Sequence, residues 1–186
     1  MEIYQLIESC QKKKASAEQE LFVRFAPKVL TICRRYAAHD HEAKDYLQEC
    51  FLCVFDNIQK YDARKGAFEG WLYRVCTNTI LQILRKSKKG LELVYPDQLP
   101  ETSSEVEEEN FSQIPTDTII AAIQQLPSGY RQVLNLYIFE EWSHKEIAKE
   151  LGISESASRS QLARARKLLK TVLKNLMPNN YEKRLA

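Results

Sequence analysis

The residues whose types and spacing could do chemistry lie between Ser143 and Asn180. Ser143-His144-Lys145-Glu146 has the capping-box pattern: the Ser oxygen can accept from the Glu backbone N–H, and the Glu carboxylate can reach back. Ile147, Ala148 and Leu151 then make one apolar face, and Gly152 stands where a helix end needs a left-handed residue. Ile153 plugs the corner, Ser154 can cap a second helix, and Glu155 suits its positive end. At about 100° per residue, Ser158, Leu162, Ala165 and Leu169 of that helix share a face read as buried. Ser156, Ser160, Ala163, Arg164 and Lys167 fall opposite, with Arg159 on the flank. From Ser156 to Asn180 there are six bases (Arg159, Arg164, Arg166, Lys167, Lys170, Lys174) and no acid. Small residues with Arg near a helix start suit entry into a major groove, and the bases beyond suit phosphates. A solvated basic face on an ordinary helix would also be basic. The cap, the glycine corner and the basic helix together favour DNA readout.

The remaining reactive types form no second site. Cys50 and Cys53 are spaced as C-x-x-C, but no second Cys pair or spaced His pair completes a zinc site. Among Phe51, Leu52, Val54 and Phe55 they read as buried thiols. His39 and His41 flank Asp40, which is expected to cap a helix, and no third metal ligand is evident. Trp71 reads as a core anchor with its indole N–H near a surface, and Trp142 as a hydrophobic staple before the capping box. No phosphate loop, Ser-His-Asp set or carboxylate cluster occurs, so neither enzyme activity nor a metal or cofactor is expected.

The elements that must position these residues are helical. The chain has 186 residues, 5 Gly and 6 Pro, and apolar side chains recur at spacings of three and four nearly everywhere. Helices are expected over 3–14, 17–37, 42–60, 68–88, 117–125, 130–140, 144–151 and 155–176. Ser16 with Gln19 reads as a capping box, and Pro27 should kink or split the second helix. A short loop, Asp62–Ala67, holds Gly66 between two long helices.

Charge is segregated. Residues 1–90 hold 16 Lys/Arg against 11 Asp/Glu, residues 91–117 hold 8 acids and no base, and residues 118–186 hold 11 bases against 6 acids. Two basic blocks on an acidic strap suggest two modules meeting a polyanion. The expected organisation is all-α. It comprises a helical domain over 1–88, a flexible acidic linker over 89–116 with Pro96, Pro100 and the run Glu105–Glu109, a helix-turn-helix domain over 117–176, and a tail over 177–186. The acidic run reads as a solvated linker or, as a hypothesis, a mimic of nucleic acid. No secretory signal or membrane span is evident, and five cysteines in a Lys/Glu-rich chain read as reduced thiols of a cytoplasmic protein.

Leu126-Pro127-Ser128-Gly129-Tyr130-Arg131-Gln132-Val133, Ser143 to Ala148, and Leu162-Ala163-Arg164-Ala165-Arg166 resemble region 4 of the sigma-70 family, most closely its extracytoplasmic-function (ECF) group. Asp45-Tyr46-Leu47-Gln48-Glu49 with Phe51 and Phe55 resembles region 2.2, and Phe68 to Val75 with Asn78 resembles regions 2.3–2.4. The resemblance implies a factor that binds core RNA polymerase and directs it to promoter DNA. Asp45, Gln48 and Glu49 would dock on the β′ clamp helices; Phe51, Phe55 and the Tyr130–Tyr137 segment would also bind core polymerase, whose β flap is a further expected contact. Tyr61, Asp62, Arg64, Lys65 and Gly66 would capture an unstacked base of the −10 element, with Arg74 and Asn78 against the melted strand. Ser156, Arg159, Ser160, Ala163 and Arg164, with Lys167 beyond, would contact the −35 element. An anti-sigma factor is an expected partner.

The sequence departs from the family in two places. Ser156, Ala157 and Ser158 stand where the family often has Gly-Thr and an apolar residue. Ser158 therefore implies looser packing or a hydroxyl bonded back to its own helix. Ala163 is small where a larger side chain could reach bases. A stand-alone helix-turn-helix regulator binding a palindrome as a dimer is the alternative. A nucleic-acid-processing enzyme is disfavoured by the missing carboxylates.

Overall fold

The computed structural model describes residues 2–87 and 114–177, and these are helical with no strand among them. The chain divides into two compact units, one within residues 1–89 and one within 90–186. Most of the acidic strip, including Glu105–Glu109, and the tail beyond Met177 lie outside the described residues.

The first unit contains α1 (Ile3–Gln11), α2 (Ala15–Tyr36), α3 (Asp40–Asn57) and α4 (Phe68–Lys86), with short 3₁₀ turns at Ile58–Lys60 and Ala63–Lys65. α2 is the hub, packing on α1, α3 and α4. Leu21, Val29, Cys33 and Tyr36 of α2 are fully buried, as are Leu6 of α1, Cys50 and Val54 of α3, and Leu72, Cys76 and Ile80 of α4. Truncating such a side chain, Leu72 to alanine for instance, should cost about 2–5 kcal/mol.

Several helix ends differ from expectation. α1 stops at Gln11 because Lys13 turns left-handed (φ 53°) before α2. Ser16 does not cap α2, which begins at Ala15, two residues before the expected start, behind Lys14 and with no side-chain cap. Pro27 neither splits nor ends α2. Pro27 and Val23, four residues earlier, are both exposed, so the carbonyl that loses its N–H partner sits on the solvent side, where water can replace the bond. His39, not Asp40, caps α3, its Nδ1 accepting from the Glu42 N–H at 3.2 Å. Asp40 lies one residue inside and accepts instead from Arg34 at 2.9 Å.

The second unit contains α5 (Thr116–Gln124), α6 (Ser128–Ile138), α7 (His144–Leu151) and α8 (Glu155–Leu176). α8 is its spine, packing on α5, α6 and α7. Ile114 and Met177, expected in linker and tail, belong to this core: Ile114 is buried with Ala122 and Leu173, and Leu169, Val172 and Met177 pack around them. A segment bearing a large apolar side chain beside a long amphipathic helix gains more by burial than by staying extended.

Candidate nucleic-acid interface

The turn between α7 and α8 is built as the sequence requires. Ser143 Oγ accepts from the Glu146 N–H at 3.3 Å, and Glu146 Oε2 accepts from the Ser143 N–H at 2.8 Å. The Ser143 groups hold the Glu146 carboxyl below its ordinary range. Gly152 is left-handed at φ 68°, and Ile153 N–H donates back to the Ala148 carbonyl at 3.0 Å. Ser154 Oγ accepts from the Ala157 N–H at 3.0 Å, starting α8. Ser143→Ala should lower the stability of this unit by about 1 kcal/mol, seen as a lower thermal midpoint with helix content unchanged at room temperature.

α8 presents Ser156, Arg159, Ser160, Ala163 and Lys167 as exposed residues, with Arg164 half-buried on the flank. Arg159 pairs with Glu155 at 3.1 Å, one turn back at the helix start. The opposite face buries Ser158, Leu162 and Ala165, while Leu169 is half-buried. Gln161 is also buried, its Oε1 lying 3.5 Å from where a Cβ on Gly129 would stand. The face reading did not single it out, because glutamine is ordinarily a surface residue.

Ser158 is fully buried, and its hydroxyl does not bond back to α8; it meets His144 Nδ1 at 2.9 Å. Burial first, and then Arg159, push the His144 pKa down, with Glu155 opposing and Arg166 adding to the shift. The unfolded histidine titrates near 6.5. Above that pH the ring is neutral in both states, and the full stability is present. As pH falls below it, the unfolded chain takes up the proton first and stability drops until the lower folded pKa is passed. Thermal melts at pH 7.5 and about 5.5 should show this decline, and His144→Asn should flatten it.

In the first unit, the Asp62–Ala67 loop forms a small closed structure. Tyr61 Oη donates to the Gly66 carbonyl at 3.1 Å. Asp62 accepts from the Arg64 N–H at 3.0 Å and from its guanidinium at 3.0 and 2.9 Å, which holds the Asp62 carboxyl below its ordinary range. Arg64 thus braces the loop rather than reaching outward as a free cation, although its side chain remains exposed. Lys65 is exposed beside it. Gly66 sits at φ 142°, ψ 176°, a conformation open essentially to glycine alone.

Behind the loop stands an aromatic wall. Tyr61, Phe68 and Trp71 lie 5.2–5.6 Å apart centre to centre, and Phe68 is buried on Phe25 at 5.5 Å. Trp71 and Tyr61 are half-buried and keep some ring surface open. Trp71, Arg74 and Asn78 form one stripe of α4, and Arg74 and Asn78 are exposed. Tyr4, which sequence reasoning passed over, is 67% exposed. It lies near enough to Tyr61 to help raise that phenol's pKa, second to burial.

On α3, Asp45, Gln48, Glu49 and Leu52 share one exposed face. Leu52 was not a candidate, yet it is 60% exposed at the C-terminal end of this stripe. Phe51 is buried against Phe22 at 4.7 Å, and half-buried Phe55 lies 5.8 Å from it. Phe51 therefore offers a partner almost no surface in this structure. A phenylalanine one position off an exposed stripe turns about 100° into the core. Tyr130 to Leu136 are likewise buried, so the Tyr130–Tyr137 segment is a core segment; the exposed apolar edge of α6 lies at Ile138 and beyond it at Phe139. Cys50, buried as expected, donates weakly to the Cys76 carbonyl at 3.6 Å, while Cys53 is only half-buried. No group of three metal-ligating side chains occurs among the described residues.

Two helical units, one carrying an exposed helix-turn-helix face, define the class: a modular DNA-binding protein. The sigma-70 region 2 family model matches residues 21–90, and the sigma-70 region 4 model matches residues 116–169. RNA polymerase sigma factor SigZ of Bacillus subtilis is 35% identical over 145 residues, spanning 75% of this chain and 80% of that protein. ECF sigma factor SigE of Mycolicibacterium smegmatis is 33% identical over 161 residues, covering 83% of this chain but only 60% of its own length. ECF sigma factor SigW of Bacillus subtilis is 29% identical over 192 residues, covering 95% of this chain and 99% of its own. The chain belongs to the sigma-70 family, within its ECF group of RNA polymerase sigma factors. That membership sets aside the stand-alone regulator.

Proposed function

We propose that this sigma factor divides promoter recognition between its two units. The unit within 1–88 docks on core RNA polymerase through the α3 face around Asp45, Gln48, Glu49 and Leu52. It also captures an unstacked −10 base between the Asp62–Ala67 loop and the Tyr61–Trp71 wall, with Arg74 and Asn78 along the strand. An unstacked base needs an aromatic face and nearby cations to offset lost stacking. The unit within 117–176 reads the −35 element through Ser156, Arg159, Ser160, Ala163 and Arg164, with Lys167 on phosphate. The single observation that carries the reading is the capped, glycine-turned pair α7–α8, with its small and basic residues exposed and its apolar ones buried.

The chain carries out no catalysis in this reading and works in the cytoplasm with polymerase. No helix among the described residues is long and apolar enough to cross a membrane. An anti-sigma factor is a further expected partner, and the exposed apolar residues Leu52, Ile138 and Phe139 are surfaces it could cover. The deciding experiment is run-off transcription with purified core polymerase on a randomised promoter library, beside a gel shift of the chain alone. We expect selected promoters with two spaced elements, weak binding without polymerase, and a steep loss of binding with salt. Tight duplex binding by the chain alone would overturn the two-point reading.

A further inference from the structure

Ser158 places a hydroxyl at 0% exposure on the packed face of α8, and a buried hydroxyl needs a partner. The partner comes from another helix: His144, the first residue of α7, whose Nδ1 lies 2.9 Å away. The His144 ring stacks on Tyr137 of α6 at 4.7 Å with planes 24° apart. The Arg166 guanidinium of α8 sits 5.7 Å from the centre of the same tyrosine ring. One assembly therefore joins three helices and holds α8 at two points, Ser158 and Arg166, about 12 Å apart along the axis. Two attachment points fix a helix's direction, where one fixes only its distance. Ser158 lies in the same helical turn as the exposed candidates Ser156, Arg159 and Ser160, so whatever holds it sets their register.

We infer that His144 and Ser158 are a positioning pair, which sets the angle at which α8 meets DNA and thereby the discrimination among bases at the −35 element. The inference rests on the proposed role of α8 as the base reader. Base contacts tolerate misplacement of only about 0.5 Å, whereas attraction to phosphates is long-ranged. Loosening the pair should therefore erode discrimination more than affinity.

The test uses the full chain with core polymerase on a library randomised at the −35 element. It reads the ratio of transcripts from preferred to mismatched sequences. Ser158→Val has the shape of Ser158→Thr without its hydroxyl, so it leaves Nδ1 unmet and should lower the ratio about fivefold or more at little change in total binding. Ser158→Thr keeps the hydroxyl and should behave as wild type. Ser158→Val with His144→Phe removes both polar groups while keeping a ring on Tyr137, and should recover most of the loss. Wild-type discrimination in Ser158→Val, Thr no better than Val, or losses that simply add in the double variant would each overturn the pair. Nitrogen-15 shifts of the His144 ring in the wild-type chain give an independent reading, and an Nδ1 without hydrogen-bond character overturns it whatever the variants do. Arg159→Ala separates the two claims. If it leaves selection unchanged, α8 is not the base reader and the pair falls with it; if it relaxes selection while Ser158→Val does not, only the pair falls.

Discussion

Leu52→Asp is expected to weaken assembly with core RNA polymerase by roughly 30-fold, about 2 kcal/mol, while leaving the fold intact. Leu52 is 60% exposed, so the change removes little from the core of the first unit. An exposed leucine alone is unremarkable. This one is flanked on α3 by exposed polar residues, Gln48 and Glu49 a turn before it and Asp56 a turn after it, with Phe22 and Val23 of α2 also exposed. An apolar centre with a polar rim is the anatomy of a protein-binding face. A carboxylate placed at the centre would be desolvated on docking without a partner. Fluorescence anisotropy of labelled chain against core polymerase should show the loss, with circular dichroism unchanged. Phe51→Ala offers the contrast: because Phe51 is 2% exposed against Phe22, it should destabilise the unit by about 3–5 kcal/mol. Undiminished assembly of Leu52→Asp would remove α3 from the docking surface.

The contrast between Leu52 and Phe51 shows what sequence reading could and could not deliver. The helices, the two-unit division and the α7–α8 turn were legible, because each follows from local rules of periodicity, capping and glycine geometry. The docking candidates came from a motif, and a motif does not say which side of a helix each member faces. That is decided by packing against α2, which is remote in sequence. Ser158 was placed correctly as buried, but its partner His144 lies fourteen residues away on another helix, beyond any local rule. Arg64 was read as a cation for DNA, and only the structure pairs it with Asp62. Tyr4 comes near Tyr61 because α1 packs against the Ile58–Lys60 turn, where Gln11 Nε2 donates to the Ile58 carbonyl at 3.1 Å. His39 stands in the cap position because its Nδ1 can accept from the Glu42 N–H, while the stronger acceptor, the Asp40 carboxylate, is turned to Arg34.

Gly66→Val is expected to slow promoter opening by about tenfold or more. Gly66 holds φ 142°, where a β-branched side chain is strained by about 1–3 kcal/mol. Nothing lies within 4 Å of where a Cβ would stand, so the penalty is backbone strain and not a clash. Relief requires the peptide to turn. That would move the Gly66 carbonyl off the Tyr61 hydroxyl and free Tyr61 from its place beside Trp71. The loop would then lose its closed form while Phe68, anchored on Phe25, held the rest of the unit in place. If the loop captures an unstacked base, its ordered shape offsets part of the cost of melting, and that cost is absent on a template already opened. The defect should therefore be large on duplex promoters and small on a pre-melted bubble, with polymerase binding unchanged. Permanganate reactivity of the opened strand separates the cases. Equal loss on both templates would make the loop a mere structural link, and no loss on either would end the case for base capture at Asp62–Ala67.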